Sequence, residues 1–220
     1  MALPHDKEDS ALLSAINEIV ITKGPKACTM DYVAKSLQMS KRTLYEIFED
    51  KNDMIIRAME HRAATDRKAI QSIIENAPDM MTAFMRIFMH HRIALSKVNS
   101  TYFKDMDRLY PRLRKNYESR HRRLHRDLKR IFEKGVMQGV FRNDINIDVL
   151  IHVMLMQSET FKQMEDKFPE GITLLDVYDS SIGNFLRGIA SAKGAEIIDS
   201  YIRRCRESGI PETDCQEIGF

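Results

Sequence analysis

The sequence predicts an all-α protein of about nine to ten helices. Only nine glycines and six prolines interrupt the 220 residues, and there is no tryptophan. Between these breaks, apolar side chains recur at intervals of three and four over long segments, which is the spacing of one helical face. Thr29 and Ser40 precede two of these segments, where a hydroxyl can cap a helix. A chain of this length can bury a substantial core.

Composition argues against membrane and secreted classes of protein. No apolar run reaches the roughly 18 residues of a membrane span, and no N-terminal segment has the charged-then-apolar pattern of a signal peptide. The three cysteines, Cys28, Cys205 and Cys215, lack the spacing of a disulfide framework. We therefore expect a soluble, cytoplasmic protein without a membrane partner. Cys28 is expected to pack as a small hydrophobe, with a redox sensor as the alternative.

A first helix is predicted from Asp6 to about Lys23, where Gly24 and Pro25 end it. Its apolar residues recur at helical spacing: Leu12, Leu13, Ile16, Ile19 and Val20. One face of this helix is therefore apolar, and we expect that face to close over the two helices that follow.

Two short helices follow, and each begins at a good capping residue. Thr29 caps the first and Ser40 the second, because each hydroxyl can accept a hydrogen bond from a free N–H of the first turn. The second short helix has an apolar back, formed by Leu44, Ile47 and Phe48. Its outward or flanking residues are polar: Lys41, Arg42, Thr43, Tyr45 and Glu46. Such a helix suits the major groove of DNA, so the pair is predicted to be a helix-turn-helix.

Over about residues 10–57 the sequence resembles the TetR family of bacterial transcription regulators. The matching positions are Thr29, Ala34, Gln38-Met39-Ser40, Thr43-Leu44-Tyr45, Phe48 and Lys51. One position departs from the family pattern, because Gln38 stands where members usually have glycine, at a turn that needs a positive φ. The resemblance implies a three-helix N-terminal helix-turn-helix domain and a larger helical ligand-binding and dimerisation domain.

The resemblance also implies how the protein meets DNA. The expected DNA-contacting residues are Thr29, Ser40, Lys41, Arg42, Thr43, Tyr45 and Lys51. Lys41, Arg42 and Tyr45 are expected to read base edges. The residues expected to hold phosphates are Thr29, Thr43, Tyr45 and Lys51, the last together with the N–H groups at the start of its helix. A single short helix makes few base contacts, so a homodimer on a palindromic double-stranded operator is expected.

Net charge does not by itself indicate a DNA-binding protein. Residues 1–50 hold six Lys or Arg and eight Asp or Glu, which gives 6 − 8 = −2. The basic residues are few, but Lys41 and Arg42 lie on the predicted outward side of the second short helix. Asp31 and Glu46 lie where repulsion from phosphates is possible, although Glu46 can instead accept a hydrogen bond from a cytosine amine.

The domain boundary is expected at Lys51, which starts a helix to about Asn76. In the resembling family such a helix connects the DNA reader to the regulatory domain, so that a ligand can tilt it. The predicted domains are a DNA-binding domain at 1–50, an effector-binding and dimerisation domain at 51–208, and a mobile tail at 209–220.

A segment rich in Met and Phe follows Pro78 and is predicted to be a largely buried helix. In a resembling regulator this region lines the pocket for a small-molecule effector, whose identity the sequence leaves unknown. The candidate lining residues are Met81, Phe84, Phe88, Phe103, Met106, Tyr110, Tyr117 and Met154. Plain core is the alternative for each of them.

A long helix is predicted from Pro111 to about Gly139. Its middle carries a run of Arg and Lys, which is typical of a solvated face, with a nucleic-acid contact as the alternative. His121 and His125 have the spacing of two metal ligands on one helical face, but no third ligand accompanies them, so no metal site is predicted. A short extended piece after Gly139 and an acidic cap at Asp144 are expected to precede the next helix, which is a second feature of the family.

Two apolar helices are predicted next, from about Ile147 to Lys167 and from about Ile172 to Ser191. Each is apolar around more of its circumference than one monomer core requires. The resemblance implies a four-helix bundle with a twofold mate, with these candidate interface residues: Leu150, Met154, Phe161, Leu175, Tyr178, Ile182 and Phe185. A deeper monomer core is the alternative. A last helix is expected at about Ala195–Arg206.

Three functions compete at this point. The favoured one is a ligand-responsive DNA-binding regulator, a repressor by preference. The second is a DNA-binding regulator without a small-molecule effector, controlled by a protein partner or by redox state. The third is a helical enzyme, which we do not expect because there is no Gly-rich phosphate loop, no nucleophile elbow and no metal constellation. No cofactor and no catalytic residue are predicted.

Overall fold

The computed structural model describes residues 4–114, 117–163 and 168–207, and it confirms the all-α prediction. The helices of these residues are α1 Pro4–Lys23, α2 Met30–Ser36, α3 Lys41–Ile47, α4 Lys51–Asn76, α5 Met80–Ser96, α6 Tyr102–Leu109, a 3₁₀ helix Pro111–Arg114, α7 Tyr117–Met137, α8 Ile147–Gln163, α9 Leu174–Ile189 and α10 Ala192–Glu207. Within the described ranges, no helix is long and apolar enough to cross a membrane.

Two compact units divide the chain. The N-terminal unit is drawn from Met1–Ala69 and Lys97–Glu118, and the C-terminal unit is drawn from Ile70–Ser96 and Ser119–Phe220. The division falls inside α4, so this one helix contributes residues to both units. The functional boundary that the sequence predicts at residue 50 lies earlier, and it stays a prediction.

The N-terminal unit has one apolar core, to which α1, α2, α3 and the first half of α4 contribute. Its fully buried side chains include Ile16, Val20, Cys28, Val33, Leu44, Met54, Ile55 and Ala58. α6 belongs to the same unit, and Tyr102 and Tyr110 are buried in this core. Helices as short as α2 and α3 are marginal in isolation, so this packing is what keeps them folded.

Phe84 lies at the centre of an aromatic cluster in the C-terminal unit. Its ring centroid is 5.0 Å from that of Phe132, 5.5 Å from that of Phe141 and 5.6 Å from that of Phe88. Phe185 of α9 completes the cluster, with its ring centroid 6.1 Å from that of Phe88. These separations are typical of favourable aromatic pairs. α5, α7, α9 and the segment after α7 therefore share one aromatic core.

The segment after α7 is joined to the end of α9 and to the residue before α10 by a set of hydrogen bonds, which we call the 139–191 seam. Gly139 has a φ of +70° and ends the helical stretch, as predicted. The Arg142 amide donates to the Ile189 carbonyl at 2.9 Å, and the Ser191 amide donates to the Val140 carbonyl at 3.1 Å. The Ser191 hydroxyl also donates to the Gly139 carbonyl at 2.6 Å. The seam fixes the start of α10 against the end of α7.

Two sequence predictions about helix starts are wrong. Pro111 begins a 3₁₀ helix, which its fixed φ also suits, and α7 is Tyr117–Met137. Asp144 does not cap α8, because its carboxylate pairs with the Arg142 guanidinium at 2.7 Å. The cap is Asn146, whose side-chain oxygen accepts from the Val149 amide at 3.2 Å. The predicted tail at 209–220 lies outside the described residues.

Candidate DNA interface

α2 and α3 begin at the two capping residues that the sequence indicates. The Thr29 hydroxyl oxygen accepts from the Tyr32 amide at 3.1 Å, and the Ser40 hydroxyl oxygen accepts from the Thr43 amide at 3.0 Å. Both caps have extended backbone, which is the usual N-cap conformation. The side chains of Ser40 and Thr43 also share a hydrogen bond of 2.7 Å. The starts of both helices are therefore set by local hydrogen bonds.

The turn between the helices is closed by a left-handed residue, and that residue is Gln38. Its φ is +54°, the single positive φ among the described residues other than glycine. The Met39 amide donates to the Ala34 carbonyl at 2.9 Å, and the Gln38 amide donates to the Lys35 carbonyl at 3.3 Å. This pair of bonds is a Schellman motif, which usually uses glycine at this position. The turn thus keeps the family geometry although its glycine is missing.

The back of α3 is anchored in the N-terminal core. Leu44 and Phe48 are almost completely buried, and they pack in one cluster with Val33 and Cys28. Burial raises the pKa of the Cys28 thiol to about 11, so at neutral pH the thiol is protonated and packs as an apolar group. The buried side of α3 leaves its other side free to face solvent.

The front of α3 is polar, and its two cations are already paired with carboxylates. Lys41 Nζ lies 2.7 Å from Asp31 Oδ1 on α2, and Arg42 Nε lies 2.9 Å from Glu46 Oε1 one turn along α3. The Asp31 hydrogen bond and charge raise the pKa of Lys41. Tyr45 is half exposed beside them, with the Lys41 ammonium 6.0 Å from its ring centroid.

Lys51 lies at the start of α4, close to the loop before α2. Its ammonium donates to the Lys26 carbonyl at 3.1 Å, so the side chain is directed toward that loop. The first turn of α4 is capped by Asp50, whose Oδ1 accepts from the Asp53 amide at 2.8 Å. One of the amides expected to hold a phosphate therefore already has a partner in this state.

The structure brings the predicted DNA-contacting residues together on one unit. Thr29, Ser40, Lys41, Arg42, Thr43 and Tyr45 are exposed, and Lys51 is partly buried. Their contacts with DNA stay a prediction. Sequence reasoning missed Arg57, whose guanidinium donates to the Ile47 carbonyl at 2.8 Å and supports the end of α3. Arg57 is ten residues from Ile47, and no sequence motif at that spacing indicates a contact between them.

Residues 12–58 match the family described as bacterial regulatory proteins, tetR family. The N-terminal part of this chain therefore carries a TetR-type DNA-binding domain. The matched segment begins within α1 and ends within α4, so it contains the complete helix-turn-helix. The chain is accordingly a DNA-binding transcriptional regulator. No curated protein is significantly similar to it in sequence.

Solved structures extend the likeness in fold beyond the matched segment. A transcriptional regulator from Saccharomonospora viridis, in complex with choline, has a TM-score of 0.64 at 16% identity, over 84% of this chain and 99% of that one. A TetR-family regulator from Agrobacterium tumefaciens has a TM-score of 0.64 at 13% identity, over 86% and 100%. A ketosteroid transcriptional regulator of Mycobacterium tuberculosis has a TM-score of 0.53 at 18% identity, over 87% and 97%. At these identities the likeness shows a shared fold.

The candidate pocket residues fall into different units. Met81, Phe84 and Phe88 lie on α5 in the C-terminal unit, as does Met154 on α8. Phe103, Met106 and Tyr110 belong to the N-terminal unit, where they pack against its core. The side chain of Tyr117 lies outside the described residues. The assignment of these residues to a pocket stays a prediction.

The candidate dimer residues on α9 are engaged within their own chain. The Tyr178 hydroxyl donates to the Phe88 carbonyl at 3.1 Å, and Phe185 joins the Phe84 cluster. Ile182, Leu150, Leu175 and Met154 are partly buried, and the side chain of Phe161 lies outside the described residues. The exposed apolar residues of α8 are others that the sequence reasoning did not select: Val149, Val153 and Met156.

No group of three or more His, Cys, Asp or Glu within the described ranges could hold a metal ion. The side chain of His121 is outside those ranges. His125 lies 3.6 Å from Asp148 on α8, and the same carboxylate accepts from Lys129 at 2.7 Å. The basic middle of α7 is thus tied to α8 through Asp148.

Proposed function

We propose that the protein is a ligand-responsive repressor that binds a palindromic operator as a homodimer. The observation that supports the proposal most strongly is that α3 is amphipathic, with one buried side and one exposed polar side. Its back is fixed by the buried Leu44 and Phe48, while Lys41, Arg42 and Tyr45 stand on its exposed side. A rigid short helix with such a front can enter the major groove, where Arg42 is suited to the O6 and N7 atoms of guanine.

Phosphate contacts are proposed at the edges of this front. Thr29, Ser40 and Thr43 are exposed at the starts of α2 and α3, where hydroxyls and amides can meet phosphate oxygens. Lys51 would exchange its 3.1 Å hydrogen bond to the Lys26 carbonyl for a phosphate oxygen. Such contacts fix the register of the protein on the duplex and carry no sequence information.

A homodimer is proposed because one reading helix makes too few base contacts to select a site. Each good contact discriminates by about 1–3 kcal/mol, so two copies are needed for useful selectivity. α8 offers an interface, since Val149, Val153 and Met156 are exposed at the spacing of one helical face. An isologous pairing would cover this face in both copies.

The proposed effector site lies in the C-terminal unit. Phe84, Phe88 and Phe185 provide aromatic rings, and the neighbouring Met81 is a flexible and polarizable side chain. Such surroundings favour an apolar molecule or one that carries a quaternary ammonium. Solved structures of similar fold include one in complex with choline and one of a ketosteroid regulator, which is consistent with either class.

A regulator controlled by redox state or by a protein partner is the second candidate. Redox control through Cys28 has little support, because thiol oxidation requires an accessible thiolate and Cys28 is completely buried with a raised pKa. The enzyme alternative is not proposed.

Selection of bound duplexes from a random pool tests the DNA-binding part of the proposal. We expect a palindrome whose half-sites are about one helical turn apart or slightly more. Enrichment of a single, non-repeated site would contradict the twofold arrangement. A thermal-shift screen of small apolar and quaternary ammonium compounds, followed by operator release with each hit, tests the effector. A hit that stabilises the protein without releasing the operator would contradict ligand-responsive repression.

A further inference from the structure

The two cations on the front of α3 are each matched by one carboxylate. Asp31 reaches across from α2 to Lys41 at 2.7 Å, and Glu46 lies 2.9 Å from Arg42 on α3 itself. Residues 29–51 hold four Lys or Arg and four Asp or Glu, which gives 4 − 4 = 0. The segment that contains the helix-turn-helix therefore has no net charge, whereas a surface that binds any duplex is strongly positive.

These two ion pairs contribute little to folding. The side chain of Arg42 is 89% exposed and that of Glu46 is 60% exposed, while Lys41 and Asp31 are 55% and 69% exposed. Exposed pairs are worth little because water and salt screen them. Their position on the DNA-facing surface of α3 points instead to an effect on binding.

An ion pair of this kind competes with a phosphate. When Lys41 or Arg42 approaches a phosphate of random DNA, it exchanges one exposed carboxylate for one exposed phosphate, so little free energy is gained. On the correct operator Arg42 can form two hydrogen bonds to a guanine, and these exceed what the Glu46 contact provides. The carboxylates therefore reduce random binding more than operator binding.

We propose that Asp31 and Glu46 are specificity-determining residues, which hold Lys41 and Arg42 in intramolecular ion pairs and so suppress binding to random duplexes. This inference rests on the proposed function, in which α3 reads base edges. The two acids act by positioning and neutralising the cations. Asp31 acts across the turn between α2 and α3, and Glu46 acts along α3.

The test compares Asp31→Asn and Glu46→Gln with Glu49→Gln in the full-length protein. Both test substitutions keep the shape of the side chain and remove its charge. Glu49→Gln is the matched control, because Glu49 is exposed just after α3 and its carboxylate has no cationic partner in the described part of the chain. Fluorescence anisotropy gives the affinity for the selected operator and for a random duplex over a range of salt concentrations.

We expect each test substitution to strengthen random binding about three- to tenfold in the dimer and to strengthen operator binding less. The salt dependence should steepen by about 0.9 per released cation, and therefore by about 1.8 for two reading heads. Glu49→Gln should leave this slope unchanged, because it releases no cation. In a Lys41→Gln background, Asp31→Asn should lose its effect on the slope.

The outcomes separate the two proposals. If the wild-type protein binds neither duplex at low salt, the proposed function fails. If it binds and both test variants behave as Glu49→Gln does, the proposed function stands and this inference is overturned. If Glu46→Gln weakens operator binding and leaves random binding unchanged, Glu46 reads a base and the inference is overturned at that position.

Discussion

The guanidinium carbon of Arg57 lies 4.7 Å from the centroid of the Phe48 ring. The same side chain donates to the Ile47 carbonyl at 2.8 Å and lies 3.7 Å from Asp53, so it joins the last turn of α3 to the first two turns of α4. α3 has only seven residues and cannot hold its own orientation. The position of the reading helix therefore depends on this one arginine as well as on the buried Leu44.

Replacing Arg57 with alanine should destabilise the protein by about 1–2 kcal/mol, because a cation–π contact and a hydrogen bond to a helix-terminal carbonyl are both lost. The measurement is the free energy of unfolding in urea. Arg62→Ala, which removes a pair with Asp66 within the same helix, is the control and should cost no more than about 0.5 kcal/mol. Equal losses in the two variants would mean that the contact with Phe48 contributes nothing.

Arg42→Ala and Lys51→Ala should weaken DNA binding in different ways. Loss of a base-reading arginine should cost about 1–3 kcal/mol on the operator and relax the sequence preference at one position of each half-site. Loss of the phosphate-holding Lys51 should weaken binding evenly across sequences and lower the salt slope by about 0.9 per protomer, and therefore by about 1.8 in the dimer. Binding titrations on operator and random duplexes distinguish the two, and equal losses for Arg42→Ala on both would contradict this division of roles.

Gln38→Gly should stabilise the protein by about 0.5–1 kcal/mol. The φ of +54° at Gln38 is strained for a residue with a Cβ, and glycine removes that strain at some cost in unfolded-state entropy. Gln71→Gly, at an exposed position inside α4, is the control and should destabilise by about 1 kcal/mol. Urea unfolding measures both. A loss of stability on Gln38→Gly would show that the Gln38 side chain makes a compensating contact.

Met156→Glu should convert the proposed dimer to monomer. The side chain of Met156 is 56% exposed in the single chain and lies on the α8 face that the dimer would cover, where an unpaired carboxylate costs several kcal/mol. Met137→Glu provides the control, since Met137 is 86% exposed and lies at the end of α7. Sedimentation velocity at micromolar concentration reports the outcome. A dimer that tolerates Met156→Glu would exclude this face of α8 from the interface.

Stability should fall as the pH rises from about 9 to about 11, in part because of Cys28. Burial raises the pKa of its thiol from 9.0 to about 11, so between these values the unfolded chain releases a proton that the folded chain retains. The stabilisation is present below pH 9 and is lost as the pH rises through 11. Urea unfolding at pH 8 and at pH 10.5 should show a smaller fall for Cys28→Ala than for the wild type. Identical falls would mean that Cys28 titrates normally in the folded protein.

The sequence predicted what depends on local chemistry. Thr29 and Ser40 cap α2 and α3 because a hydroxyl needs only the amides of the next turn, and Gln38 takes a positive φ because the tight turn between the two helices demands it. The prediction is wrong where two local structures are possible. Proline can begin an α-helix or a 3₁₀ helix, and Pro111 begins a 3₁₀ helix. Either Asp144 or Asn146 could cap α8, and the cap is Asn146, directly before the helix.

Contacts between helices could not be predicted from the sequence. The pairing of Asp31 with Lys41 depends on the angle between α2 and α3, and no residue pattern encodes that angle. The rotation of α9 is set in the same way by the hydrogen bond from Tyr178 to the Phe88 carbonyl. The apolar side chains of α9 were therefore assigned to a dimer interface although several of them pack within their own chain.

The 139–191 seam has a mechanical consequence for any effector response. The segment after α7 and the start of α10 are joined by backbone hydrogen bonds, and a Cβ on Gly194 would overlap the Val140 carbonyl oxygen, so the two pieces cannot slide past each other. They must travel as one rigid block. Motion within the C-terminal unit is left to contacts that side chains make, such as the ion pair between Arg92 of α5 and Asp179 of α9, which can part and re-form without unravelling a helix.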